Sequence, residues 1–254
     1  MKAIIKFFVR HIPRPYLIKF SKLFSLIVMP FYAGKKHQCT ICEKSFRKFL
    51  PYGNKGAANR LCPNCLSLER HRLLWLFLKE KTRFFNEKYS VLHIAPEQPF
   101  LKRFKKLSNL EYITADLVSP IADVKMDIRS MPFENERFDV VICNHVLEHI
   151  DDDLKAMSEV YRVLKNNGFA ILQVPIDYKR TETYEDASIT DRKSREEIFG
   201  QYDHVRVYGL DYGKRLVKAG FVVDENRFVE SFTKEQIEFY RLDANEILYI
   251  AYKK

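Results

Sequence analysis

The sequence predicts an α/β protein in which a mostly parallel, open sheet follows a small cysteine-rich module. From residue 90 onward, short apolar runs typical of buried strands alternate with amphipathic runs typical of helices, the arrangement of βαβ units with helices on both sheet faces. Four of the five cysteines form two CxxC pairs ahead of that region. The predicted segments are a basic amphipathic helical segment at 1–36, a four-cysteine module at 37–70, a linking helix at 71–89 and the α/β domain at 90–254.

The elements of the large domain follow from its apolar runs and helix breakers. A strand at Ser90–Ala95 precedes a helix at Pro99–Lys106, where proline suits the first turn. A second helix, Leu154–Lys165, has Asp151–Asp153 as its N-terminal cap and is expected to stop at Asn166–Gly168. Further strands are predicted at 111–114, 138–143, 169–174, 221–228 and 246–252, and a last helix at 210–219.

Charge is distributed unevenly along the 254 residues. The whole chain carries a net charge of +10, yet residues 1–90 hold 19 Lys and Arg against 4 Asp and Glu, while residues 91–254 hold 24 against 29. A basic front half indicates an anionic partner, such as a membrane surface, a nucleic acid or a phosphorylated carrier. The charge alone does not choose among them.

Residues 1–36 contain eight Lys and Arg and no acid, interleaved with apolar side chains. Arg10, Arg14, Lys19 and Lys22 interrupt every apolar run, so a membrane-spanning helix is not predicted. The late apolar run is broken by Pro30 and lacks a clear cleavage site, which disfavours a signal peptide. Two interpretations remain open: attachment to an anionic membrane surface at the inner membrane face, and packing on the α/β domain.

The four-cysteine module is predicted to bind zinc. Cys39 and Cys42 form one CxxC turn and Cys62 and Cys65 form another, with 19 residues between the pairs. Zinc favours four tetrahedral thiolates, and a shell of four thiolates is closed, so the site would be structural. The intervening segment is rich in turn residues and predicts a short hairpin. Cysteine pairs together with a lone Cys143 indicate a reducing compartment, so a cytoplasmic location is expected.

Four sequence blocks resemble a known family. They are Met126-Asp127-Ile128, Met131-Pro132-Phe133, FDVVICNHVLEHI at 138–150 and RVLKNNGFAILQVP at 162–175. Together they resemble the type 11 group of class I S-adenosylmethionine-dependent methyltransferases, over about residues 88–254. The resemblance implies a Rossmann-like, seven-stranded, mostly parallel sheet whose last strand is antiparallel. It also implies a methyltransferase enzyme with S-adenosylmethionine as its cofactor.

The resemblance also implies roles for individual residues at the carboxyl ends of strands, where open α/β sheets bind ligands. Asp116 matches the acid that accepts both ribose hydroxyls, and Leu117 follows it in the cofactor site. Asp127 matches the residue that accepts from the adenine amino group, with Ile128 against the ring. The family lines the cleft around the sulfonium and the substrate with residues that match Asn144 and His145.

The first motif departs from the family pattern of an acidic residue followed by a glycine-rich turn. His93 stands in place of the acid, and Ala95, Pro96 and Glu97 replace the glycines. S-adenosylmethionine has no phosphate for a glycine turn to approach, and its methionine end carries an ammonium that Glu97 is hypothesised to hold. His93, Ala95 and Glu97 are therefore predicted cofactor-binding positions, and the alternative is a degenerate domain that only binds partners.

His145, His149 and His204 are the candidate catalytic bases for an acceptor hydroxyl. The run His145–His149 also matches the H-x-x-E-H pattern of some zinc peptidases, but that pattern needs a helix and here it follows a strand. His204, Arg206 and Tyr208 alternate, so on an extended strand they would share a face toward the substrate. Residues 178–189 are a candidate lid.

The predicted reaction is O-methylation of a small molecule, a sugar or a lipid-linked glycan. No Asn-Pro-Pro-Tyr motif for amine methylation is visible, and Cys143 lacks the Pro-Cys setting of cytosine C5 enzymes. One alternative is an rRNA or tRNA methyltransferase, because a four-cysteine module on this fold also resembles a ribosomal RNA base-methylating group and the front half is basic. The other is a non-catalytic zinc adaptor.

Overall fold

The computed structural model describes residues 25–53 and 57–254. Most of the predicted basic segment, residues 1–24, therefore lies outside the described residues, and residues 25–32 are helical. No helix of the described ranges is both long and apolar enough to cross a membrane.

Four short strands build the cysteine module and precede the large sheet. They are β1 (Ala33–Gln38), β2 (Ser45–Phe46), β3 (Leu50–Tyr52) and β4 (Ala57–Leu61). β1 pairs antiparallel with β2, and β3 pairs antiparallel with β4, so the predicted hairpin between the cysteine pairs is confirmed.

Seven strands form the central sheet, in the order β12-β13-β9-β8-β5-β6-β7. Strand β13 runs antiparallel to both of its neighbours, and the pairs from β9 to β7 are parallel, which confirms the predicted architecture. Two further short strands, β10 (Tyr184–Glu185) and β11 (Arg206–Val207), pair outside this sheet. The bounds of the seven are β5 Tyr89–Ile94, β6 Leu110–Asp116, β7 Val124–Lys125, β8 Phe138–Asn144, β9 Leu164–Gln173, β12 Val222–Asn226 and β13 Leu248–Tyr252.

Helices cover both faces of this sheet because its strands are apolar on both sides. The named helices are α1 Glu69–Glu80, α2 Gln98–Phe104, α3 Asp153–Val163, α4 Arg192–Phe199, α5 Tyr212–Lys218 and α6 Lys234–Tyr240. Along β8, Val141 and Cys143 join the core beneath α3 and α5, while Val140 and Ile142 join the core beneath α1 and α2. The cysteine module shares this second core.

Helix α3 ends earlier than the sequence predicts. The chain becomes extended at Leu164, and the run Asn166–Gly168, predicted to stop the helix, lies inside β9. Gly168 is needed there for close strand packing, since a Cβ atom would lie 2.8 Å from the carbonyl oxygen of Asp139. Position 168 therefore requires a glycine because β8 and β9 pack closely there, and not because a helix ends there.

Arg72 of α1 joins the cysteine module to the end of the methyltransferase-like domain. It is fully buried, with its guanidinium over the ring of Phe49 at 4.8 Å. All three of its nitrogens donate to backbone carbonyls of both parts, because the planar fork reaches several acceptors at once. Those acceptors are the carbonyl oxygens of Arg60 and Ser67 in the module and of Tyr240 and Arg241 at the end of α6, at 2.5–3.2 Å.

Replacement of Arg72 by lysine is expected to lower the free energy of unfolding by about 3 kcal/mol, since one ammonium cannot satisfy this set of buried carbonyls. Urea denaturation followed by circular dichroism measures the change. Arg83→Lys is the matched control, because Arg83 is exposed and pairs only with exposed Glu87 among the described residues. Equal stability of the two variants would show that Arg72 does not hold the junction.

Candidate functional site

The turn after β5 keeps a glycine-like backbone without glycine. Ala95 has φ of +49°, in the left-handed region that glycine adopts most readily, and its N–H donates to the carbonyl oxygen of Ala115 on β6 at 2.8 Å. Pro96 is buried behind it. Such a conformation costs alanine about 1–2 kcal/mol, which the surrounding packing has to offset. The altered first motif therefore still turns sharply at the carboxyl end of the strand.

Glu97 is held by side chains from two elements. Its Oε1 lies 2.5 Å from Nε2 of His71 and 3.9 Å from Nε of Arg70, both on α1, and its Oε2 accepts from Nδ2 of Asn144 at the end of β8 at 2.8 Å. The N–H of Leu68 donates to Nδ1 of His71, so Nε2 carries the proton toward Glu97. The residue hypothesised to hold an ammonium thus already has protein partners on both oxygens.

Burial alone would raise the pKa of Glu97, but His71 and the nearby Arg70 outweigh it and hold the pKa well below its usual range. The carboxylate is therefore ionised. Two buried polar atoms beside it, Nε of Arg70 and Oδ1 of Asn144, have no hydrogen-bond partner among the described residues. Nε of Arg70 is a donor and Oδ1 of Asn144 is an acceptor, and both residues contact the carboxylate of Glu97.

Asp116 ends β6 with one carboxylate oxygen engaged. Its Oδ1 accepts from the N–H groups of Val118 and Ser119, both at 2.8 Å, in a turn that fixes the side chain. The next residue, Leu117, is 54% exposed beside it. Oδ2 of Asp116 remains available for a ligand hydroxyl.

Asp127 follows β7 and is paired with Arg129. The guanidinium of Arg129 donates to both carboxylate oxygens at 2.7–3.2 Å and also reaches Asp151. The hydrogen bonds from Arg129 lower the pKa of Asp127. Its neighbour Ile128 is buried. The assignment of Asp127 and Ile128 to the adenine end stays a prediction, with Asp127 already neutralised by an arginine.

His93, which replaces the family's acid, is enclosed in an aromatic cluster. Its Nδ1 lies 2.7 Å from the hydroxyl of Tyr112, and its ring contacts Phe100 and Phe104 of α2. Complete burial lowers the pKa of His93 to about 4. The predicted cofactor role of His93 remains a prediction, and its contacts show a neutral ring supporting the turn.

The three predicted histidines converge around Glu148, a buried residue of the 3-10 turn Leu147–His149. Nδ1 of His145 lies 3.2 Å from Oε1 of Glu148. On the other side, the rings of His149 and His204 meet edge to face with centroids 4.8 Å apart. The sequence predicts these residues separately, and the structure brings them together; their catalytic role stays a prediction.

Arg206 and Tyr208 do not face a substrate, contrary to the prediction. Both are buried: Arg206 donates to the carbonyl oxygens of residues 147, 150 and 151, and the hydroxyl of Tyr208 donates to Asp153 at 2.7 Å. His204 lies before β11 and points to a different partner, the carbonyl oxygen of Phe199. Arg206 and Tyr208 do share one face, as predicted from their alternation, but that face packs against the turn after β8.

The four cysteine sulfurs lie within 4.8 Å of one another. Sγ of Cys39 is 3.5 Å from Sγ of Cys65, and Sγ of Cys42 is 3.7 Å from Sγ of Cys62. These separations approach the about 3.8 Å edge of a tetrahedron with Zn–S bonds of about 2.3 Å. The donor set and its spacing therefore fit a zinc ion.

The two CxxC turns share one backbone design. In each, the carbonyl oxygen of the first cysteine accepts from the residue after the second, which has a positive φ: Glu43 at 58° and Leu66 at 59°. Each first cysteine also donates its N–H to a carbonyl five residues on. Two turns of the same shape facing each other present four sulfurs to one point.

Arg70 and His71 are site residues that the sequence analysis missed. They stand at the start of a helix directly after the second CxxC turn, where charged residues are ordinary. No local pattern indicates that this helix lies over the turn after β5, since that contact joins segments about 26 residues apart. Only the packing of α1 reveals it.

The strand order of the seven-stranded sheet, with one antiparallel strand, is that of the class I methyltransferase fold. The sequence family described as "Methyltransferase domain" matches residues 76–172. The cyclase SpnF has a similar structure, with a TM-score of 0.50, 13% identity and coverage of 92% of this chain and 95% of that one. The chain therefore has the class I methyltransferase fold, and residues 76–172 match the methyltransferase domain model.

Two further proteins are similar over part of the chain. An S-adenosylmethionine-dependent methyltransferase from Mesorhizobium loti covers 70% of this chain and 96% of its own, with 12% identity and a TM-score of 0.47. The uncharacterized protein MJ0638 of Methanocaldococcus jannaschii is 46% identical over 48 residues, 19% of this chain. The chain spans about a fifth of that relative's length, 21%.

The pKa of about 4 for His93 predicts a pH-dependent stability. Because its usual pKa is 6.5, the unfolded chain binds a proton that the folded chain does not, so stability is expected to fall as pH drops from 6.5 to 4. Between pH 7 and 4, the wild type should lose about 3 kcal/mol more than His93→Gln, as measured by urea denaturation. Parallel losses in both proteins would contradict a neutral, buried His93.

Proposed function

We propose that this protein transfers a methyl group from S-adenosylmethionine to an acceptor hydroxyl. The proposal rests on two groups of residues. Asp116 ends β6, and Glu97, which follows β5, contacts Asn144 at the end of β8 and Arg70 at the start of α1. These groups lie at one edge of the parallel sheet, where such folds bind ligands. Asp116 suits a ribose, and the other group suits a zwitterion.

The methionine end of S-adenosylmethionine carries one ammonium and one carboxylate. An ammonium would find acceptors in Glu97, which is ionised, and in the unpartnered Oδ1 of Asn144. A carboxylate would find a donor in Nε of Arg70. The unpartnered donor and acceptor are thus the pair that an amino-acid group needs, so the chain's residues fit this cofactor although the customary glycine turn is missing.

Methyl transfer is a displacement at the sulfonium carbon, and S-adenosylmethionine supplies the activated methyl group. The chain's own task is to align the acceptor and to take its proton. His145 is placed for the second task, because Glu148 lies 3.2 Å from its Nδ1 and can hold the proton there. The other ring nitrogen, Nε2, then carries the lone pair that accepts the hydroxyl proton.

The acceptor we propose is a small molecule, a sugar or a lipid-linked glycan. A surface-bound acceptor agrees with peripheral attachment of residues 1–36 to an anionic membrane in the cytoplasm. Three large apolar side chains of the helical segment 25–32, Leu26, Ile27 and Phe31, are more than half exposed, and Lys35 and Lys36 follow them. Salt-sensitive binding of RNA by the purified protein would favour the rRNA or tRNA alternative instead.

We also propose that the four cysteines hold one structural zinc ion. The closed shell leaves no position for water, so the ion's part would be to fix the module. The module in turn ends in α1, whose Arg70 and His71 border Glu97. A zinc ion would therefore support the cofactor cleft from a distance, through the position of one helix.

Calorimetry with S-adenosylmethionine and with 5′-methylthioadenosine, which lacks the amino-acid end, tests the cofactor assignment. Wild type is expected to bind S-adenosylmethionine at micromolar strength, about −8 kcal/mol. Asp116→Asn should weaken both ligands at least about tenfold, whereas Arg70→Gln should weaken S-adenosylmethionine alone. The two variants thus separate the ribose end from the carboxylate end.

Asp191→Asn is the matched control. Asp191 also accepts from a backbone N–H, at the start of α4, and asparagine caps equally well there. Its binding should equal that of the wild type. Absence of heat and of any thermal shift with the wild type would overturn the proposed function and favour the adaptor alternative. Equal weakening of both ligands by Arg70→Gln would remove Arg70 from the carboxylate.

Metal analysis tests the zinc proposal. Purified protein is expected to contain one zinc per chain in the cysteine cluster, and Cys39→Ser should lose that one equivalent together with several degrees of melting temperature. Cys143→Ser is the control, because Cys143 is buried in β8 away from the cluster, and it should retain the ion. Full zinc content in Cys39→Ser would contradict a four-thiolate site.

A further inference from the structure

A second group of metal-ligating side chains lies apart from the cysteines. One ligand atom each from Glu148, His149 and His204 falls within 4.8 Å of the others. Glu148 is 1% exposed, and its Oε2 is buried with no hydrogen-bond partner among the described residues. A buried carboxylate oxygen without a donor is costly, and two imidazoles beside it supply the remaining ligands of a common metal site.

Backbone carbonyls fix the tautomer of both histidines. Nδ1 of His149 lies 3.2 Å from the carbonyl oxygen of Asp203, and Nδ1 of His204 lies 3.1 Å from that of Phe199. A carbonyl oxygen only accepts, so each Nδ1 carries the proton and each Nε2 keeps a lone pair. Metal-binding histidines are held in this way by a second partner on the other nitrogen.

The two segments that carry these residues are clamped together. The N–H of Val205 donates to the carbonyl oxygen of Glu148 at 2.9 Å. Buried Arg206 donates to carbonyls at both ends of the 147–151 turn, and its guanidinium also binds Glu185 at 2.8 Å. Residues on separate loops are therefore held in a fixed relation, as a metal site requires.

We propose that Glu148, His149 and His204 bind one divalent transition metal ion, separate from the cysteine cluster. Two imidazoles and one carboxylate favour Mn²⁺, Fe²⁺, Co²⁺ or Zn²⁺ and leave open positions for oxygen ligands. This site differs from the peptidase pattern, because His145 stays on the far side of Glu148 and His204 takes its place. With bond lengths of about 2.1 Å, the three ligand atoms would move closer together than the 4.8 Å within which they now lie.

The proposed metal site shares Glu148 with His145, the candidate base. If the proposed methyl transfer holds, the ion would bind the acceptor oxygen and lower its pKa, which favours an acceptor with a hydroxyl group. That consequence rests on the proposed function, whereas the metal site itself does not.

Titration of the full chain with Mn²⁺, with free Mn²⁺ followed by electron paramagnetic resonance, tests the site. Mn²⁺ prefers oxygen and nitrogen ligands, so the zinc-bound cysteines do not take it up. The wild type is expected to bind one Mn²⁺ per chain, and Glu148→Gln and His204→Gln should each weaken binding at least about tenfold. Circular dichroism establishes whether each variant is folded. If Glu148→Gln does not fold, His204→Gln alone tests the site.

Glu197→Gln is the matched control, since it removes one carboxylate from an exposed position of α4, the helix whose Phe199 contacts His204. It should bind Mn²⁺ like the wild type. Binding of less than one Mn²⁺ by the wild type, or equal weakening by Glu197→Gln, would overturn the proposal. S-adenosylmethionine binding is measured on the same samples without Mn²⁺, so failure of the cofactor proposal is seen separately.

Discussion

The position of one helix, held by one buried guanidinium, governs the rest of this structure. Arg72 satisfies carbonyls of the cysteine module and of the end of α6, which are remote in the chain but adjacent in the fold. The same helix carries Arg70 and His71, so the docking that Arg72 stabilises also places the two side chains that border Glu97. Helix α1 thereby connects the cysteine module to the candidate site around Glu97, although the two look like separate modules in the sequence.

The turn after β5 keeps the backbone conformation of a glycine-rich turn although it contains no glycine. A glycine-rich turn offers a backbone free of side chains, and here Ala95 takes the left-handed conformation that glycine would take. The acid of the family motif is replaced by His93, which is neutral and enclosed by aromatic rings. The negative charge at this turn comes instead from Glu97, and the positive charge that compensates it comes from Arg70 of α1.

The turn after β8 combines three roles that the sequence analysis kept apart. The turn itself contains His145, Glu148 and His149. His204 belongs to a distant loop, which the hydrogen bonds of Val205 and Arg206 hold against the turn. Arg206 was predicted to contact a substrate, but it is buried and donates hydrogen bonds to the backbone carbonyls of the turn. A buried arginine that binds several carbonyls has lost the freedom to contact a ligand, and in return it holds the histidines in a fixed relation to Glu148.

Local sequence determined the elements of this protein, because strand and helix periodicity, CxxC spacing and turn residues act over a few neighbouring positions. Six strands of the sheet, the hairpin of the module and the strand-end positions of Asp116 and Asn144 could be predicted in this way. The six strands are β5, β6, β8, β9, β12 and β13; the short strands β7, β10 and β11 were not predicted. The tertiary structure alone decided that α1 covers the turn after β5, that Gly168 serves strand packing, and that His149 meets His204. These are contacts between segments far apart in the chain, and they depend on which surfaces bury each other, a property that no short pattern encodes.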